Sequence, residues 1–143
     1  MKGKGITRER IIDTALQLVK ERGYGNYTVR DLADEMGVKG ASLYKHIKGI
    51  EEVNREIGRL ASIELNRALI ASKEGKTRDE ALAAVGYAYR DFARREPQLY
   101  RAILGMPALD RDETAIAVGR ESFRALGNAA GQYRISRETS IHF

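Results

Sequence analysis

Between Arg8 and Arg22 the apolar residues Ile11, Ile12, Ala15, Leu18 and Val19 fall on one stripe at helical spacing. That stripe predicts an amphipathic helix, with Thr7 placed to cap its start and Gly23 its end. A shorter segment repeats the pattern, with Val29, Leu32, Ala33 and Met36 apolar and Arg30, Asp31, Asp34 and Glu35 between them. Thr28 is a favoured N-cap, and Asp31, three residues on, can reach back to the free backbone N–H groups of the first turn. Gly37 comes directly after Met36, where a helix end commonly needs a left-handed residue. Val38 can plug the corner, and Lys39 to His46 is long enough for about two helical turns. In that stretch Leu43 faces inward, while Ser42, Tyr44 and Lys45 face out.

Further along, Val53, Ile57, Leu60, Ala61, Ala68 and Leu69 predict one long helix from Glu51 to Ser72. Ala81, Leu82, Val85, Tyr89 and Phe92 share a face of the next. Pro97 disfavours helical geometry at Glu96 and then permits a new first turn, so the chain should break there and resume. Pro107 ends that piece. Asp112 to Ala130 offers another helix with Ile116, Phe123, Leu126 and Ala130 inward, and Ser136 is a plausible start for one more.

The stretch from Thr28 to Ile47 therefore reads as a helix-turn-helix, one short helix bracing a second that can enter a DNA groove. An ordinary helical hairpin with a glycine corner has the same spacing and stays open as an alternative. Charge sharpens the choice. Residues 1–48 hold 10 lysines and arginines against 6 acids, a net of +4, whereas residues 49–143 hold 15 against 14, a net of +1. A basic end of this kind attracts phosphate and steers a protein onto DNA. At 143 residues and 43% hydrophobic content the chain suits an ordinary globular protein. The absence of cysteine excludes disulfides and thiolate metal sites and suits a reducing cytoplasm. The longest apolar run, Ala81 to Tyr89, is too short to cross a bilayer, and the N-terminus lacks the apolar stretch of a signal peptide. The expectation is a soluble cytoplasmic protein with no membrane partner.

Arg10-Ile11-Ile12, Ala15, Leu18, Gly23, Thr28-Val29, Leu32-Ala33, Gly37-Val38, Gly40, Ser42-Leu43-Tyr44 and His46 together resemble the DNA-binding domain of TetR-type transcriptional regulators. A second stretch, Ala88 to Ala102, is similar to the C-terminal domain of one TetR subgroup. The resemblance implies an all-α fold. A three-helix helix-turn-helix DNA-binding head, residues 1–48, is joined by a long helix to a ligand-binding and dimerising helical body, residues 49–143. It also implies a homodimer on a palindromic operator in double-stranded DNA, a repressor released by a small-molecule effector. Two departures stand out. Ile50 occupies the place of a lysine that often touches phosphate in the family, a contact Lys48 can take over. The body stops before the usual last helices, so the expectation is that it lacks them.

The recognition segment is short, so specificity would require two heads reading half-sites about 34–36 Å apart. Lys39, Gly40, Ala41, Ser42 and Lys45 are placed at or near base edges. Lysine can donate to guanine, alanine can touch a thymine methyl, and small residues allow close approach. Thr28, Arg30, Tyr44, His46 and Lys48 are assigned to phosphates, which fix register. For Tyr44 the alternative is packing under the helix, and for His46 a core or capping role. Tyr87, Tyr89, Phe92, Met106 and Phe123 are candidates for an effector pocket, though residues of this kind at helical spacing also serve as plain core. No catalytic residue, cofactor or metal site is expected: the chain has no HExxH, no phosphate-cradling glycine loop and no cysteine nucleophile. The rival to a DNA reader is a helical module that offers the exposed hairpin to a protein partner.

Overall fold

The structure is a computed structural model that describes residues 5–106. Among them it is all-helical, in the order α1 (Arg8–Arg22), α2 (Val29–Met36), α3 (Gly40–Leu43), α4 (Ile50–Lys73), α5 (Arg78–Arg95) and α6 (Pro97–Gly105). The helices predicted at Asp112–Ala130 and from Ser136, and Phe123 with them, lie outside the described residues. None of the described helices is long and apolar enough to cross a membrane.

The described chain divides into two compact units. One holds residues 5–62 and 95–106, and the other residues 63–94. In the first unit α1 starts where Thr7 Oγ1 accepts a hydrogen bond from the Arg10 backbone N–H at 3.1 Å. It ends at Gly23, whose φ of 95° is costly for any residue with a Cβ. Its apolar stripe, Ile11, Ile12, Ala15, Leu18 and Val19, is buried throughout. Val29, Leu32 and Ala33 of α2, Leu43 of α3, Ile47, and Val53, Ile57 and Ala61 of α4 complete that core.

Helix α6 belongs to this unit, packing on α1 and α4. Gln98 Oε1 accepts the Tyr24 backbone N–H at 2.9 Å, so α6 satisfies a donor in the α1–α2 loop. Against α4 the approach is closer still. A Cβ on Gly58 would lie 2.9 Å from the Ala102 carbonyl oxygen and would also strike the Met106 side chain. Leu99, Ala102 and Met106 are all buried. In the second unit the buried side chains are Leu65 and Leu69 from the end of α4 and Val85 and Phe92 from α5.

Candidate nucleic-acid interface

Helix α2 is held at both ends by its own residues. Thr28 Oγ1 accepts the Asp31 backbone N–H at 3.1 Å, and Asp31 Oδ2 accepts the Thr28 N–H at 2.8 Å. These two bonds complete a capping box and satisfy donors that a helix start otherwise leaves open. The Thr28 backbone N–H, then the Thr28 hydroxyl, and the Arg22 guanidinium at 3.3 Å hold the Asp31 carboxyl below its usual range. At the other end Gly37 is left-handed, φ 69°, and Val38 N–H returns to the Ala33 carbonyl at 3.0 Å. The chain thus reverses within two residues.

The second helix of the hairpin is shorter than the two turns expected for Lys39 to His46. Helix α3 is only the four residues Gly40–Leu43, and the chain then turns, with His46 N–H donating to the Leu43 carbonyl at 2.9 Å and Ile47 N–H to the same oxygen at 3.1 Å. Leu43 and Ile47 are the two buried side chains between Gly37 and Gly49; four residues apart, they anchor the segment before α4 begins.

Around those two anchors lie the residues assigned to DNA. Thr28, Arg30, Lys39, Ala41, Tyr44, Lys45, His46 and Lys48 are exposed, while Gly40 and Ser42 are half-buried. Tyr44 keeps 57% of its surface open, so it does not pack under the helix, and His46 is no core residue. The Thr28 hydroxyl accepts the Asp31 N–H in the capping box.

Lys48 stands at the entrance to α4. Its backbone N–H donates to Glu52 Oε2 at 2.7 Å, which pulls the Glu52 carboxyl below its usual range. Glu52 and Glu56 both accept the Arg8 guanidinium, at 3.3 and 3.7 Å, and Glu56 also pairs with Arg59 at 2.6 Å. That last contact, with Arg8 behind it, lowers the Glu56 carboxyl. Arg8, Lys48, Glu52 and Glu56 line an open groove of about 680 Å³ together with Arg55.

Sequence reasoning missed two side chains here. Tyr27, at 5% exposure, donates its hydroxyl to Asn54 Oδ1 on α4. Its signal was its position, since a hydrophobic residue just before an N-cap is often a staple against the helix it precedes. Gln98 gave no local signal, because its partner is 74 positions away.

The effector candidates are spread out. Met106 is buried against Gly58 in the first unit. On α5 in the second unit Phe92 is buried, Tyr89 half-buried and Tyr87 67% exposed. No group of three or more metal-ligating side chains occurs among the described residues.

Residues 11–57 match the family model for bacterial regulatory proteins of the tetR family, and residues 82–143 that for a tetracyclin repressor-like C-terminal domain. The HTH-type transcriptional regulator Rv0681 of Mycobacterium tuberculosis is 27% identical over 96% of this chain and 63% of its own length. The HTH-type transcriptional repressor KstR2 of Rhodococcus jostii is 30% identical over 92% of this chain and 62% of its own. For the class D tetracycline repressor of Escherichia coli the figures are 30%, 69% and 40%. The chain therefore spans less than two thirds of each of these relatives. Among solved structures, the TetR family regulator PfmR of Thermus thermophilus superposes with a TM-score of 0.61 at 28% identity, over 91% of this chain and 74% of that one. With its two domain matches in family order and its helical fold shared with a solved member, the chain belongs to the tetR family of bacterial regulatory proteins.

Proposed function

We propose that this protein is a sequence-specific transcriptional regulator that binds double-stranded DNA through the segment 28–48. The observation that carries the reading is the capped hairpin. Helix α2 is fixed at both ends, Leu43 and Ile47 anchor the segment after the glycine corner, and cationic and hydroxyl-bearing side chains stand exposed around them. Lys39 and Lys45, with Gly40, Ala41 and Ser42 between them, are the base readers. Thr28, Arg30, Tyr44, His46 and Lys48 hold phosphates. A four-residue helix covers few base pairs, so two copies on a palindromic operator supply the rest of the specificity. Residues 1–48 act as the DNA-binding domain and residues 49–143 as the effector-binding and dimerising domain. KstR2 and the tetracycline repressor are named as repressors, which supports repression; a small molecule bound by residues 49–143 relieves it. The protein works in the cytoplasm and has no catalytic role.

Selection of bound duplexes from a random pool, then titration of the recovered duplex at several salt concentrations, tests the reading. An inverted repeat with steep salt dependence is expected. Recovery of no preferred sequence, with binding to a protein partner instead, would favour the interaction module.

A further inference from the structure

All ten side chains assigned to DNA lie between residues 28 and 48, and one hydrogen bond joins the two ends of that interval. Tyr27 precedes Thr28, the N-cap of α2, and Asn54 sits in the second turn of α4, six residues beyond Lys48. The Tyr27 hydroxyl donates to Asn54 Oδ1 across them. Nearby on the same two stretches Val29, Ile47, Val53 and Ile57 are buried and apolar. Apolar contacts resist separation but are non-directional, so they permit small rotations of one helix against another. A hydrogen bond to a buried tyrosine has a preferred angle and distance and removes that freedom. Burial, with Tyr24 nearby, holds the hydroxyl in its protonated, donating form well above neutral pH.

Resting on the DNA-binding reading above, we infer that Tyr27 and Asn54 are a positioning pair that sets the register of the reading segment and so governs sequence preference rather than gross affinity. Base readout depends on side chains held within about 0.5 Å of the productive geometry, whereas phosphate contacts tolerate several registers. Without the hydroxyl the specific complex must itself impose the register that the bond otherwise imposes.

The test uses the full chain, the duplex that the unaltered protein recovers from a random pool, and a scrambled duplex of the same composition. Tyr27→Phe should lower affinity for the recovered duplex about three- to tenfold, the range one neutral hydrogen bond supplies, and leave the scrambled duplex and the salt slope unchanged. Asn54→Leu should do the same, and the double variant should lose no more than either single one. Asn54→Asp keeps an acceptor for the hydroxyl and should retain the preference that Asn54→Leu loses, a comparison that stands even where Tyr27→Phe folds poorly. An unchanged preference in folded Tyr27→Phe or Asn54→Leu, or additive losses in the double variant, would overturn the inference. Failure of the unaltered protein to recover any sequence rejects the DNA-binding reading itself, and the positioning role with it.

Discussion

Gly58 gives a sharp test of how α6 sits on α4, because two opposing effects meet at one atom. Glycine inside a helix costs about 0.5–1 kcal/mol relative to alanine, so in an isolated helix Gly58→Ala would stabilise by that amount. Here the added methyl would stand 2.9 Å from the Ala102 carbonyl oxygen and against the Met106 side chain. Methionine can rotate away, but a backbone oxygen moves only with its helix, so α6 must shift. Overpacking of this kind costs about 1–3 kcal/mol. The difference leaves Gly58→Ala destabilised by up to about 2 kcal/mol, and each kcal/mol corresponds to a fall in Tm of about 4–8 °C for a unit of this size. Urea denaturation monitored by helical circular dichroism measures it, with an unchanged m-value showing that the loss is one of stability. Adding Met106→Ala should not restore the protein, since the clash with the carbonyl remains. A gain of about 1 kcal/mol for Gly58→Ala would mean that propensity alone operates, and would refute the packing of α6 on α4.

Leu43→Ala removes a fully buried side chain that anchors the four-residue α3 and should cost about 2–5 kcal/mol, read by thermal unfolding. Lys45→Ala should cost about 1–3 kcal/mol in DNA binding and relax base preference, whereas Lys48→Ala should weaken all sequences alike and lower the salt slope by about one. Identical behaviour would contradict the division into base and phosphate contacts. Asp31, Glu52 and Glu56 all have depressed pKa values, so their pairing stabilises the fold above the ordinary carboxyl range and is lost as pH falls through the lowered values. Acid unfolding should therefore begin only below about pH 4, and Glu56→Gln should make it less steep; no change on substitution would show that the Arg8 and Arg59 pairs contribute nothing.

The elements that could be read ahead of the structure are those whose ends carry local chemistry. Thr7 and Gly23 bound α1, Thr28 and Gly37 bound α2, and Pro97 opens α6, each through its own backbone requirements. The predicted span Glu51 to Ser72 is within one residue of α4 at either end. What could not be read depends on distant partners. Helix α3 stops at Leu43, where the chain tightens into a turn that nothing in residues 39–46 announces. Gly58 looks like an ordinary weak point in a helical pattern until α6 is seen against it. Gln98 looks like a surface residue, since nothing near it announces that the Tyr24 backbone needs an acceptor. Exposure of Tyr44, Lys45 and His46, among the residues assigned to DNA, was legible because they lie between the inward Leu43 and Ile47. Their register was not, because it is held by Tyr27 and Asn54 from outside the motif.

The arrangement of charge separates holding the head together from presenting it to DNA. Asp31 is paired with Arg22, and Glu52 and Glu56 with Arg8 and Arg59, so these three carboxylates face arginines of α1 and α4. Among the described residues no carboxylate forms an ion pair with Lys39, Lys45 or Lys48. Paired charges look nearly neutral from a distance, whereas Lys39 and Lys45 stand exposed, and Lys48 is partly offset by Glu52. The pairs are partly exposed, 45% and 26% for Arg8 and Glu52, so each adds little to stability and salt screens what it adds. Binding that displaces counterions from DNA falls steeply over the same salt range. The apolar core around Leu43, Ile47 and Ile57 is insensitive to that screening, so under the proposed DNA-binding function the head loses its grip on DNA with rising salt while its fold persists.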